Sequence, residues 1–121
     1  MDDNTLILNN YSDKIFDFKN LITKKESIIL KKCNRIEIVI NSKINKLIID
    51  NCYDIKIILD QVISGIDIDN SKNIEIFPNY PFKIGSIYCY KSFISLYIKS
   101  FINNNEIPFK IINELGDINI Y

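Results

Sequence analysis

The chain has 121 residues, 47% of them hydrophobic and 25% charged, with 15 acidic residues balanced by 15 basic ones. That length supports one hydrophobic core, and a net charge of zero with a single arginine, Arg35, argues against general polyanion or nucleic-acid binding. The absence of histidine removes catalytic triads and imidazole–metal sites.

No apolar run approaches the ~20 residues needed to cross a bilayer, and the opening MDDNTLILNN lacks the basic start of a signal peptide. Three cysteines form no disulfide framework and fit a reducing compartment. The expectation is therefore one cytoplasmic domain over residues 1–121, with no membrane segment.

Twenty-nine isoleucines against no alanine favour strands over helices, because a branched Cβ packs well on a pleated surface. Residues 11–29 follow a strand pattern loosely through Ile15, Phe16 and Phe18. From residue 28 onward a 19-residue period takes hold. Leu30, Ile49, Ile68 and Ile87 make one column; Ile36, Ile55, Ile74 and Phe93 a second; Ile44, Ile63, Phe82 and Phe101 a third. Within each unit apolar residues alternate, so they point inward while their neighbours meet water. Such a pattern belongs to a coil that stacks on its neighbours.

The predicted fold is all-β: a right-handed parallel β-helix of about six coils, roughly 29 Å tall at ~4.8 Å per coil. Asn41, Asn51, Gly65, Asn70, Asn79 and Gly85 fall at or near bends, where positive φ is wanted. Pro78, Pro81 and Pro108 avoid the centres of the best-formed strands.

Residues i and i+19 become lateral neighbours in such a stack. Glu37, Lys56 and Glu75 then form a ladder of alternating charge, Arg35 lies over Asp54, and Asn51 lies on Asn70. Opposite charges so placed oppose slippage of register. Cys33, Cys52 and Ser71 form a column in which the two cysteines sit as small, buried, reduced side chains. Asp67 and Asp69 share a solvated face rather than an acid–base site. No glycine-rich phosphate loop, cofactor site or metal site is expected, and the chain is not read as an enzyme. With Ile44 inward, Lys43 and Asn45 face out beside the corner at Asp50 and Asn51, which creates a rigid mixed-polar surface for a partner.

The stretch KINKLIIDNCYDIKIILDQVISGIDIDNSKNIEI (43–76) resembles the C-terminal domain of cyclase-associated protein. The shared pattern is Lys43-Ile44-Asn45, Asp50-Asn51-Cys52, Asp60 and Val62, Gly65, and Asn70-Ser71. The resemblance implies a right-handed β-helix that binds monomeric actin and promotes exchange of its nucleotide or sequesters monomers, in the cytoplasm with the cytoskeleton. It implies actin-binding residues among Lys43, Asn45, Asp50, Asn51, Asp60, Asn70 and Ser71. It also implies a homodimer, and a minimal form without the family's helical bundle and proline-rich segment.

Dimer formation has a physical argument of its own. One side of the stack offers about 500 Å², against roughly 800 Å² per partner in a standard interface. Two alternatives stand beside actin binding. One is a regulator of a GTPase resembling tubulin cofactor C, which needs an arginine for phosphoryl transfer. The other is a non-catalytic scaffold.

Overall fold

A computed structural model describes residues 4–18, 27–104 and 106–121. Its ten strands are β1 (Thr5–Asn9), β2 (Ser12–Phe18), β3 (Ser27–Lys31), β4 (Asn34–Asp50), β5 (Tyr53–Asp69), β6 (Lys72–Ile84), β7 (Ser86–Tyr90), β8 (Phe93–Leu96), β9 (Lys110–Glu114) and β10 (Asp117–Ile120). All belong to one sheet wound on itself, and every pairing is parallel. A single 3-10 turn, Lys99–Phe101, is the other regular element among the described residues.

The first side stacks β1, β3, the C-terminal halves of β4 and β5, β7 and β9. The second stacks β2, the N-terminal parts of β4, β5 and β6, β8 and β10. The third is shorter, pairing Lys43–Ile44 with Gln61–Val62 and these with Lys83–Ile84. From β1 to β9 the chain makes about five turns of a β-solenoid, the architecture its isoleucine periodicity predicts.

The inward columns follow the alternation. Ile38, Ile57, Ile76 and Leu96 lie in register and are fully enclosed, as are Leu30, Ile49 and Ile68. Burying each such side chain contributes about 1.5–3 kcal/mol of hydrophobic stabilisation.

The period shortens by one residue at the irregularity around Lys43–Lys46 and lengthens past residue 78, and the column members predicted at both places are corrected. Ile68 is followed by Cys89, while Ile87 follows Ile66, an interval of 21. The third-side column is Ile44, Val62 and Ile84; Ile63 is exposed and Phe82 and Phe101 lie outside the core column. Ile94, not Phe93, continues the column of Ile36, Ile55 and Ile74.

The cause is local. Pro78 holds register opposite Leu59, after which pairing resumes only at Gln61 and Lys83. Proline contributes no N–H to a ladder, and the residues Asn79–Phe82 form an outward excursion. Phe82 instead meets Phe101 and Phe109 edge-on at the C-terminal end of the stack.

Ile15 is likewise corrected: it is 73% exposed opposite Glu37, while Phe16 and Phe18 pack against the core.

The corner between first and second sides repeats with little variation. Asn10, Lys32, Asn51, Asn70, Lys91 and Leu115 all have φ between 49° and 64°. Asp13, Arg35, Asp54 and Asn73 repeat that conformation three residues later. Asparagine and aspartate tolerate it because their short polar side chains bond locally.

Between the two left-handed positions the chain turns Cys33, Cys52 and Ser71 inward, and Ser92 follows left-handed Lys91 in the same way. The backbone N–H of Cys33 donates to Cys52 Sγ at 3.5 Å. That of Cys52 donates to Ser71 Oγ at 3.0 Å, and that of Ser71 to Ser92 Oγ at 3.0 Å. Each hydroxyl in turn donates to a carbonyl two residues back, Ser71 to Asp69 and Ser92 to Tyr90.

Candidate protein-binding surface

The seven residues singled out in the sequence separate into four places. Asn45 lies where the third side bends into the first, and its Oδ1 accepts from the Ser64 hydroxyl at 2.8 Å. Asp50 closes the first side of the same coil, followed by the corner residue Asn51. Asn70, one coil on, donates from Nδ2 to Asn51 Oδ1 at 3.3 Å, the predicted stacked pair. Asn45, Asp50, Asn51 and Asn70 therefore frame the outer surface of the first side from both margins.

Lys43 stands apart on the third side, in line with Gln61 and Lys83. With Ile63, Ile84 and Gly85 these residues line a small cavity of about 120 Å³. Asp60 sits at the bend between the second and third sides, where it accepts from Asn79 Nδ2 at 2.9 Å. Ser71 must be corrected. It is fully enclosed within the hydroxyl–thiol ladder, because the two left-handed residues flanking it turn it inward. A partner cannot touch its side chain.

The outer surface of the first side carries two columns that alternation leaves facing out. Ile7, Ile29, Ile48, Asp67, Tyr88 and Ile112 form one; Asn9, Lys31, Asp50, Asp69, Tyr90 and Glu114 form the other. Lys46 Nζ lies 3.0 Å from Asp67 Oδ2. Between the columns runs a concavity of about 470 Å³, floored by the Ile29, Ile48 and Ile68 chain and walled by Lys31, Asp50, Asp67, Asp69, Tyr88 and Tyr90.

The sequence reading singled out none of Ile29, Ile48, Tyr88 and Tyr90. The signal was present for the first two: Ile29 stands between inward Ile28 and Leu30, so alternation forces it out. The tyrosines were hidden by the change of period.

On the second side the charge ladder is present in part. Glu37 and Lys56 pair at 3.6 Å, but Glu75 accepts from the Tyr97 hydroxyl at 3.1 Å, which holds that phenol above its usual pKa. Lys56 Nζ also lies 5.3 Å from the Phe77 ring, and Phe77 stacks on Tyr97 at 4.3 Å.

Arg35 lies over Asp54 in register, as predicted, but its ion pair is made elsewhere. It clasps Asp13 one coil back, Nε to Oδ1 at 2.6 Å and Nη2 to Oδ2 at 3.0 Å, and this hydrogen bonding holds the Asp13 carboxyl below the usual range. Asp54 accepts from Asn73 instead. The single arginine a GTPase regulator would need is thus already engaged in a two-point pair.

Burial pushes the Cys52 and Cys89 thiols up to about 11, so both stay protonated and unreactive at neutral pH. Among the described residues no three cysteine, aspartate or glutamate side chains are placed to hold a metal ion. No helix among them is long and apolar enough to cross a membrane.

The class of protein this defines is a short parallel β-solenoid with a framed outer side of apolar, charged and tyrosine side chains. The family model for the adenylate cyclase associated (CAP) C-terminal domain matches residues 1–80, and the chain belongs to that family. The crystal structure of cyclase-associated protein from Cryptosporidium parvum has the same fold, with a TM-score of 0.78 at 16% identity. The match covers 99% of this chain and 71% of that one. No curated protein sequence matches.

Proposed function

We propose that this chain binds monomeric actin and regulates filament turnover, by promoting nucleotide exchange or by sequestering monomers. The observation that carries the reading is membership of the cyclase-associated protein C-terminal family, which implies actin-monomer binding in general. The rigid stack supports it. Asn45, Asp50, Asn51 and Asn70 are held at fixed positions around one side, with Lys43 and Asp60 on neighbouring surfaces, so a partner meets a preorganised surface. A non-catalytic partner changes actin by binding one of its conformations better than another.

Adding the purified chain to actin loaded with a fluorescent nucleotide tests this. Accelerated release identifies an exchange factor, and slowed release with reduced polymerisation identifies a sequestering protein. No effect on release or polymerisation refutes the proposal.

A homodimer belongs to the same reading. Among the described residues β9 pairs only with β7, and β10 only with β8. That end of the stack presents strand edges a second copy can cover. A monomer by sedimentation at micromolar concentration would remove this part. The cytoplasm, alongside the actin cytoskeleton, is the location this reading requires.

A further inference from the structure

We infer that the concavity on the first side, centred on Asp50 and Asp69, is the docking groove for a partner segment that presents a lysine or arginine flanked by aliphatic side chains. The inference rests on the protein-binding reading above and names which surface does the binding and what chemistry it takes.

Asp50 and Asp69 are register partners on adjacent coils, which places two carboxylates on neighbouring strands about 4.8 Å apart. Like charges directly opposite each other oppose the pairing of their strands. Elsewhere on this molecule neighbouring coils match opposite charges: Glu37 with Lys56, Arg35 with Asp13, Lys46 with Asp67. Asp50 faces Lys31 in register on the preceding coil, whereas Asp69 lies between Asp50 and Tyr90 and is the carboxylate with no cation as a register partner. An incoming ammonium or guanidinium would complete the pattern.

The surroundings suit such a group. Tyr88 and Tyr90 stand on the next coil, in register with Asp67 and Asp69; Lys91 Nζ already lies 5.3 Å from the Tyr90 ring, so Tyr88 is the aromatic face left to attract an incoming cation as it is desolvated. Ile29 and Ile48 supply the apolar floor for the aliphatic neighbours of that cation. Lys46 is held by Asp67 at 3.0 Å and Lys31 faces Asp50 in register, so the unmatched acidity of the groove is focused at Asp69. A side of about 500 Å² matches a small, transient interface rather than a permanent one.

The test uses two labelled probes followed by fluorescence anisotropy: monomeric actin, and a synthetic peptide of alternating lysine and leucine with a glutamate–leucine twin as its control. The variants are Asp50→Asn/Asp69→Asn, Tyr88→Ala, and Lys72→Glu on the second side. Thermal melts confirm that each is folded. The groove variants should weaken binding of actin and of the lysine peptide at least tenfold, Lys72→Glu should change neither more than twofold, and the glutamate peptide should not bind.

If the parent chain binds the lysine peptide through the groove yet ignores actin, the groove stands and the actin reading falls. If actin binds equally well to the groove variants, the groove inference is overturned while the actin reading survives. Lysine-peptide binding that is absent, or indifferent to the groove variants, also overturns it.

Discussion

The backbone N–H of Cys52 donates to Ser71 Oγ at 3.0 Å across one coil of the solenoid, and Ser71 is fully enclosed. A position expected at the surface is thus part of an internal ladder that satisfies the corner N–H groups turned away from solvent. Removing the hydroxyl leaves a buried donor unpaired, which costs about 1–3 kcal/mol. Ser71→Ala should lose that much stability by urea denaturation. Ser71→Cys should lose less, because Cys33 and Cys52 occupy the same column. Equal losses would mean the ladder does not act through the side-chain acceptor.

The thiols set a pH dependence. Folding raises Cys52 and Cys89 from an ordinary 9.0 to about 11. Above pH 9 the unfolded thiols release protons that the folded ones retain, so unfolding is favoured progressively until about pH 11. Stability from these groups is fully present below pH 9 and lost across that window. The melting temperature should fall between pH 9 and 11, and Cys52→Ser/Cys89→Ser should flatten that fall.

Gly85 sits where the third side returns to the first. A Cβ there would meet the Ile63 carbonyl oxygen at 2.2 Å, a backbone atom that cannot swing aside. Gly85→Ala should destabilise by 1 kcal/mol or more, on the order of other overpacking changes. A neutral substitution would show that the coils can separate locally.

The core column offers a larger effect. Ile57 is fully enclosed between Ile38 and Ile76, and Ile57→Ala should cost about 2–5 kcal/mol. Arg35→Ala, by contrast, breaks an exposed pair and should cost under about 1 kcal/mol. Comparable losses would contradict the view that inward stacking, rather than surface charge, holds the solenoid together.

How far the sequence could be read follows from where the period is strict. Between Ile28 and Phe77 the repeat is close to 19 residues, and there the inward columns of the first and second sides and the Asn51–Asn70 contact were legible, while the register shift near Lys43 put Val62 rather than Ile63 inside on the third side. Past Pro78 the prolines and the outward excursion lengthen the interval, so Ile94 and Cys89 take places that a fixed period assigns to Phe93 and Ile87. The candidate site suffered differently. Ser71 is polar and lies beside a bend, and only the paired left-handed residues Asn70 and Asn73 reveal that it turns inward. Arg35 lies between Asp13 and Asp54 on the neighbouring coils and pairs with Asp13, a partner 22 rather than 19 residues away that the irregular first repeat hid.

The most direct measurement of the central claim is a titration of the chain into labelled monomeric actin during spontaneous polymerisation. A saturable, dose-dependent change in the assembly rate, reaching a plateau at a fixed ratio of chain to actin, is the predicted result. Assembly curves that superimpose at every concentration, from a chain that melts as a folded protein, would contradict it.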